Sequence, residues 1–198
     1  MVHIREENVR DVEARDVLLD EAFGDCRFRK TSERLREDRL PAAGLSLVAV
    51  TAGGRDEAAG RLVGTVRLWN VTAGPRRPAL LLGPLAVAEE HRGRGVGGRL
   101  MTAALERARA LGHRAVLLVG DAPYYGRFGF TAEATGDLWL PGPVERERFL
   151  GLELEHASLA GARGLVSPTG RPVPKPDLAA LVAAMAQDGR FQPVPRAA

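Results

Sequence analysis

The stretch EEHRGRGVGGRL, residues 89–100, is the part of the sequence that best predicts the fold. It lies between an apolar run, residues 80–87, and a helically periodic segment, residues 101–111. Four glycines within six positions allow backbone conformations with positive φ and a close approach of the main chain to a ligand. The helix that follows would direct its unpaired N–H groups and positive dipole end to the same place. A strand, a glycine-rich turn and a helix in this order predict a site for phosphate groups.

Length and composition predict one soluble α/β domain. The chain has 198 residues, of which 45% are hydrophobic, and no window reaches the apolar length of a membrane span. The N-terminus is charged within its first residues and does not resemble a signal peptide, so we expect a cytoplasmic location. The single cysteine, Cys26, excludes an internal disulfide framework and a cysteine-based zinc site, and histidines with metal-ligand spacing are absent. We therefore expect no metal.

The charge pattern argues against a nucleic-acid partner, and the absence of an apolar window of spanning length argues against a membrane. The sequence pI is about 9.6, although the formal net charge is only +3. Arginine supplies all cations except Lys30 and Lys175, and arginine does not deprotonate in proteins, which keeps the pI high. The basic residues alternate with Asp and Glu instead of forming a stripe that could follow a phosphate backbone.

Hydrophobic periodicity and turn residues predict the secondary structure along the chain. The predicted helices cover residues 11–23, 32–40, 96–111 and 121–128, and the second of them is highly charged. The predicted strands cover residues 2–4, 45–50, 60–69, 79–87 and 115–119, with closing strands at 138–140 and 149–154. The second and third strands form a hairpin around Gly53-Gly54. The apolar strand 79–87, the helix after it and strand 115–119 form a βαβ unit, so these two strands should be parallel neighbours.

The sequence changes character near Ala160. Five Pro and Gly residues between 168 and 176 predict an irregular connector, and residues 177–187 predict a short amphipathic helix. We therefore divide the chain into one domain, residues 1–158, and a Pro/Gly-rich C-terminal extension, residues 159–198.

Three phosphate-binding architectures compete for the glycine-rich turn. A P-loop needs Gly-Lys followed by Ser or Thr, and no lysine lies near the turn, which excludes it. A dinucleotide fingerprint fits the spacing of Gly93, Gly95 and Gly98, with Asp121 at the end of the next strand. In that fingerprint, however, the glycines follow the strand at once, whereas residues 88–92 intervene here. Four candidate strands also precede the glycine-rich turn, whereas the dinucleotide fingerprint usually opens its series of strands and helices.

The third architecture accounts for more of the chain. The pattern LxVxxxxRGxGVG, residues 85–97, resembles the acyl-CoA-binding motif of the GNAT superfamily of N-acetyltransferases. The motif core, Arg/Gln-x-x-Gly-x-Gly/Ala, corresponds to residues 92–97. A second landmark of that family, Tyr-x-x-x-Gly-Phe, corresponds to residues 125–130. The resemblance covers about residues 1–155.

The resemblance implies a fold and a donor site. The fold would be α/β (α+β), with a mixed, mostly antiparallel sheet, a splayed parallel strand pair and flanking helices. The donor would be acetyl-CoA, with its pyrophosphate on the amides of the glycine turn and its pantetheine arm along the edge of the preceding strand. The implied cofactor-binding residues are Leu85, Ala86, Val87, Arg92, Gly93, Arg94, Gly95, Val96, Gly97 and Gly98.

The resemblance also implies one catalytic residue. Tyr125 would be the general acid that protonates the departing CoA thiolate, although a tyrosine that only packs on the cofactor is the alternative. The general base stays open, because residues 80–86 contain no acid and no histidine. Bulk water, a water held by the backbone or an acid from the first helices could fill this role. Asp121 is a candidate by position, but N-capping the short helix is its simpler role.

The expected function is transfer of an acetyl group to a primary amine of a small molecule or peptide. The acceptor would be bound by residues 25–40 and 137–148, and the protein is a possible homodimer. A catalytically silent acyl-CoA-binding regulatory module and a dinucleotide-binding redox domain are the alternatives.

Overall fold

The computed structural model describes residues 1–24, 30–52 and 60–175. The strands are β1 (Val2–Glu6), β2 (Ser46–Thr51), β3 (Leu62–Ala73), β4 (Pro78–Val87), β5 (Ala115–Val119), β6 (Leu138–Trp139), β7 (Phe149–Glu153) and β8 (Gly164–Pro168). The α-helices are α1 (Val12–Phe23), α2 (Val96–Ala110) and α3 (Ala122–Gly126). Short 3-10 helices occupy Val9–Asp11, Thr31–Leu35, Glu89–His91, Glu133–Thr135 and Arg146–Arg148.

The strands form one mixed sheet in the order β1-β2-β3-β4-β5-β7. Every neighbouring pair along this path is antiparallel except β4 and β5, which are parallel. β8 pairs antiparallel with the second half of β3, and the two-residue β6 pairs parallel with β8. The predicted mostly antiparallel sheet with one parallel strand pair and flanking helices is confirmed.

Helix α2 packs on the sheet through one apolar face. Its buried residues recur at helical spacing and are Val96, Leu100, Met101, Ala104, Leu105 and Ala108. They share a hydrophobic cluster with Leu68, Leu80 and Val116, which come from three adjacent strands. Alternate residues of the same strands, such as Trp69, Leu81 and Leu117, belong to a second cluster with Phe149 and Val166. The three central strands therefore contribute side chains to two cores.

Strands β4 and β5 separate towards their carboxyl ends. Their ladder contains only the pairs Leu80↔Val116 and Leu81↔Leu117, although β4 continues to Val87. The ladder between β3 and β4 shifts at the same level, from Leu68↔Leu82 to Val66↔Leu85. β4 therefore carries one extra residue at the cis peptide between Gly83 and Pro84. This extra residue forms a β-bulge. Beyond this bulge the edge of β4 that faces β5 is open.

The predicted helix over residues 32–40 is wrong. The chain forms a 3-10 helix at Thr31–Leu35 and then turns, with Asp38 at a positive φ of 53°. Leu35 is the one fully buried apolar side chain of this segment, so no apolar stripe exists that could hold a longer helix against the core.

The later strands differ from the prediction in two ways. Of the two predicted closing strands, only β7 pairs with β5, whereas Leu138 and Trp139 pair with β8. β8 was not predicted; it lies in the C-terminal extension and ends at Pro168, where the predicted irregular connector begins. The Gly53-Gly54 turn and the helix over residues 177–187 lie outside the described residues. The division at residue 158 stays a prediction.

Candidate active site

The glycine turn joins β4 to α2 through two left-handed glycines. Gly93 and Gly95 have φ of 73° and 75°, a region that side chains disfavour, and Gly95 is the N-cap of α2. Since α2 has 15 residues, its amino end presents unpaired N–H groups and a full helix dipole to the concave side of the turn. A cavity of about 470 Å³ lies there, lined by the turn together with Val87, Tyr124 and Arg127.

Gly97 allows a close contact between the turn and α3. A Cβ at this position would lie 3.0 Å from the hydroxyl oxygen of Tyr124 and 3.5 Å from Val87 Cγ2. The absence of a side chain therefore permits Tyr124 to pack against the first turn of α2. The guanidinium of Arg127 lies over the Tyr124 ring, 4.5 Å from its centroid.

The two arginines of the turn occupy different positions. Arg92 folds back so that its Nε donates to the carbonyl oxygen of Val87, 3.2 Å away, and it lines the cavity. Arg94 is exposed and does not line this cavity. Ala86 is buried, pairs with Thr65 of β3 and lines neither this cavity nor the neighbouring cleft.

A cleft of about 480 Å³ opens where β4 and β5 separate. One part of its wall is formed by the β4 bulge, the end of β5 and α3, including Leu85, Gly120 and Tyr125. The remaining wall consists of Phe23, Lys30, Ser32, Arg36 and Arg148. Both segments that the sequence assigned to acceptor binding thus contribute side chains. Val87, Gly97 and Tyr124 line both cavities, so the glycine turn and the cleft form one continuous groove.

Tyr125 lies in this groove, in an aromatic environment. Its ring packs edge-on against Tyr124 and Phe130, with centroids 4.9 and 6.1 Å away. Burial raises the pKa of Tyr125 to about 12, and the charges of Tyr124 and Asp121 act in the same direction while Arg148 opposes them. The phenol therefore keeps its proton throughout the neutral and moderately alkaline range.

Asp121 caps the short helix α3. Its carboxylate accepts a hydrogen bond of 3.1 Å from the backbone N–H of Tyr124, which is the simpler of the two roles that the sequence suggested. Among the described residues, Asp121 is also the one carboxylate that lines the cleft.

Two residues that shape the groove were not identified from the sequence. Gly120 lies directly behind the Tyr125 ring, where a Cβ would meet the ring atoms. Trp69 donates its indole Nε1–H to the carbonyl oxygen of Gly83, 2.6 Å away, and so fixes the bulge in β4. The position of Gly120 between a strand and a helix could have identified it from the sequence. The contact of Trp69 could not be predicted, because it depends on strand register, which the sequence does not contain.

The mixed sheet with one parallel strand pair and flanking helices matches the fold of the GNAT acetyltransferases. Residues 12–130 match the model of the acetyltransferase (GNAT) family, and the chain belongs to that family. It is 37% identical to the uncharacterized N-acetyltransferase YjhQ of Escherichia coli K12, over 69% of each chain. It is 34% identical to the uncharacterized N-acetyltransferase YhbS of the same strain, over 82% of this chain and 93% of that one.

Two solved structures agree with this assignment. The crystal structure of E. coli YhbS in complex with CoA superposes with a TM-score of 0.70 at 32% identity, covering 84% of this chain and 89% of that one. A GNAT family acetyltransferase from Brucella melitensis in complex with acetyl-CoA superposes with a TM-score of 0.53 at 28% identity, covering 80% and 97%.

No helix in residues 1–24, 30–52 and 60–175 is both long and apolar enough to cross a membrane. In the same part of the chain, no three His, Cys, Asp or Glu side chains lie together in a group that could hold a metal ion.

Proposed function

We propose that this protein is an N-acetyltransferase that transfers the acetyl group of acetyl-CoA to a primary amine of a small molecule or peptide. The observation that carries the proposal is the continuous groove from the glycine turn to Tyr125, which passes along the open edge of β4. The solved relatives with bound CoA and acetyl-CoA support the same donor.

The groove suits the parts of acetyl-CoA in order. Backbone amides of residues 92–98 and the dipole of α2 attract the pyrophosphate without side chains in the way. The open edge offers the backbone N–H and C=O groups of Leu85 and the N–H of Val87 to the amide-containing pantetheine arm, which binds as an added strand does. The thioester then reaches the cleft beside Tyr125.

The reaction needs no covalent enzyme intermediate. The lone pair of the unprotonated amine attacks the thioester carbonyl carbon, and a C–N bond forms. Collapse of the tetrahedral intermediate breaks the C–S bond, and the sulfur takes the phenolic proton of Tyr125 to leave as the CoA thiol. The acylated nitrogen releases one proton to water, and the tyrosinate regains one from water, so protons balance. The main contribution of the protein is to hold amine and thioester together.

A raised pKa suits Tyr125 to this role across a wide pH range. The folded-state value of about 12 lies above the ordinary value of 10.0, so the protonated form is favoured in the folded protein. The contribution of protonated Tyr125 to the free energy of unfolding is complete below pH 10 and is lost as the pH rises from 10 towards 12. The acidic limb of the rate profile should therefore follow deprotonation of the amine, and Tyr125 should not limit the rate at pH 7 to 9.

Replacing the phenol tests the assignment. With an amine that releases thiol from acetyl-CoA, we expect Tyr125→Phe to lower kcat about 100-fold or more, the usual contribution of a general acid. CoA affinity by calorimetry should change little, because the ring remains. Tyr124→Phe is the matched control, and it should retain kcat within a few-fold.

Other outcomes would assign the site differently. If acetyl-CoA binds but no amine in a broad panel releases thiol, the protein is an acyl-CoA-binding module without turnover. An unchanged kcat in Tyr125→Phe would leave the transfer reaction standing and remove Tyr125 from it.

A further inference from the structure

We propose that the acceptor amine also carries an anionic group, such as a carboxylate, and that Arg148 binds this group. The inference rests on the proposed function, because it concerns the part of the cleft that the donor leaves free. It narrows the acceptor from primary amines in general to amino acids, peptides with a free carboxyl end and similar molecules.

Three cationic side chains line the cleft but not the cavity at the glycine turn. They are Lys30 and Arg36, which flank the 3-10 helix Thr31–Leu35, and Arg148, which lies more than 100 residues later in the chain. Asp121 is the single carboxylate on the wall among the described residues, and it is hydrogen-bonded to the amide of Tyr124. The part of the cleft wall that the structure describes therefore carries more positive than negative side chains. This charge balance favours an acceptor with an anionic group and disfavours one with a second cationic group.

Arg148 is the best placed of the three cations to bind a new partner. Its ion-pair partner, Glu145, is 4.0 Å away, and the side chains of Arg148 and Glu145 are 49% and 67% exposed. An exposed ion pair of this kind contributes little to the stability of the fold, so Arg148 can exchange Glu145 for a ligand. By contrast, Arg36 is nearly buried and holds Glu33 at 2.7 Å, and the ammonium of Lys30 lies over the ring of Phe23 at 4.2 Å.

Arg148 also lies close to the expected reaction centre. It lines the same cleft as Tyr125, and its charge acts to lower the pKa of that phenol. A guanidinium binds a carboxylate through two parallel hydrogen bonds, which fixes direction as well as distance. A carboxylate held there would orient the amine of the same molecule towards the thioester beside Tyr125.

Paired acceptors test the inference. Each pair contains one primary amine as carboxylate and as carboxamide, for example 4-aminobutyrate with 4-aminobutanamide and glycylglycine with its amide. Rates of thiol release are compared at equal concentrations of unprotonated amine. We expect the carboxylate to have a kcat/KM about tenfold or more above that of the amide, the usual effect of a charged hydrogen bond. In Arg148→Gln the carboxylate should lose this advantage, so that the members of a pair become equal.

Two further variants make the test specific. Arg114→Gln is the matched control, because Arg114 is also an exposed arginine paired with a glutamate, Glu155, and it lines neither cavity. It should keep the preference for carboxylates. Arg148→Glu should reverse the preference, so that the diamine putrescine reacts faster than 4-aminobutyrate.

The outcomes separate this inference from the proposed function. Thiol release with equal rates within every pair would overturn the anionic acceptor and leave the acetyltransferase intact. If no amine releases thiol, calorimetry with the same pairs on the CoA complex decides. Tighter binding of the carboxylates that is lost in Arg148→Gln supports the inference, and equal binding or no binding of both members overturns it.

Discussion

Gly120 determines where the ring of Tyr125 lies. A Cβ at residue 120 would lie 2.7 Å from Tyr125 Cδ2 and 3.1 Å from Cζ, and still closer to Cε2. These distances are shorter than carbon atoms tolerate, and the ring also contacts Tyr124 and Phe130. The phenol can keep its present position only while residue 120 has no side chain.

Gly120→Ala should therefore displace the phenol without removing it. We expect kcat to fall about tenfold to 100-fold, because a misplacement of about 1 Å costs a rate of this order. The melting temperature should change by only a few degrees, since the strain falls on one ring at the edge of a cleft. Thiol release and thermal melting measure the two effects.

Gly126→Ala is the control for this substitution. A Cβ at residue 126 meets nothing within 4 Å, although the residue is adjacent to Tyr125 in sequence. The kcat of Gly126→Ala should equal that of the unsubstituted protein. If Gly120→Ala were equally active, the position of the ring would not matter to the reaction.

At the scale of single residues, the sequence reveals those that belong to a local pattern. Tyr125 and the turn glycines have fixed spacings along the chain, so a motif can identify them. Arg148 lies 23 positions after Tyr125 and reaches the same cleft only because β7 pairs with β5. No motif or residue spacing in the sequence predicts that Arg148 reaches the cleft.

At the scale of elements, the bulge in β4 separates the half of the strand that pairs with β5 from the half whose edge towards β5 is open. The residues before it, Ala79 to Leu82, are buried, whereas Gly83, Pro84 and Leu85 are only half-buried and line the cleft. Trp69 anchors the transition through its hydrogen bond to Gly83. The direction of the open edge therefore depends on one indole N–H.

Trp69→Phe should weaken binding of the pantetheine arm selectively. The phenyl ring keeps most of the packing but cannot donate to Gly83, so the open edge loses its anchor. We expect CoA to bind about fivefold more weakly, in line with the loss of one hydrogen bond. Adenosine 3′,5′-bisphosphate, which has no pantetheine, should bind unchanged. Calorimetry with both ligands gives the comparison.

Trp139→Phe is the matched control, because Trp139 is 60% exposed and lies outside the groove. It should leave both affinities unaltered. Equal weakening of the two ligands in Trp69→Phe would mean general damage to the fold and would contradict a role in aligning the edge.

Elements were predictable where local periodicity and tertiary packing agree. The unit β4-α2-β5 combines apolar strands with a helix that has one apolar face, and its boundaries agree with the prediction within one residue. Residues 32–40 have good helix formers but no apolar face, so propensity predicted a helix that packing does not support. β8 was missed because its five residues, Gly164–Pro168, gain their strand structure from pairing with a distant strand.

At the scale of the whole molecule, β8 connects the segment after residue 158 to the main sheet. Val166 is fully buried against the second core, and Leu159 is 5% exposed in the same cluster. A chain that ends at residue 158 should therefore have a free energy of unfolding about 3–6 kcal/mol lower than one that ends at residue 175, since each buried side chain contributes about 1.5–3 kcal/mol.

Urea denaturation of the two chains measures this difference. The comparison also tests the division of the chain at residue 158, which places β8 outside the domain. Equal midpoints would mean that the domain is stable without residues 159–175, and the division would then stand.

The pairing of β3 with β8 also has a consequence in time. One edge of β3 is shared by two partners, because β2 covers the residues up to Arg67 and β8 covers Val71 to Ala73. The ribosome makes β2 before β3, but it makes β8 more than 90 residues after Ala73. At ordinary rates of translation this interval lasts about 5–20 s. A nascent chain therefore exposes an unpaired hydrophobic strand edge during that period, when neighbouring chains on the same messenger can compete for it.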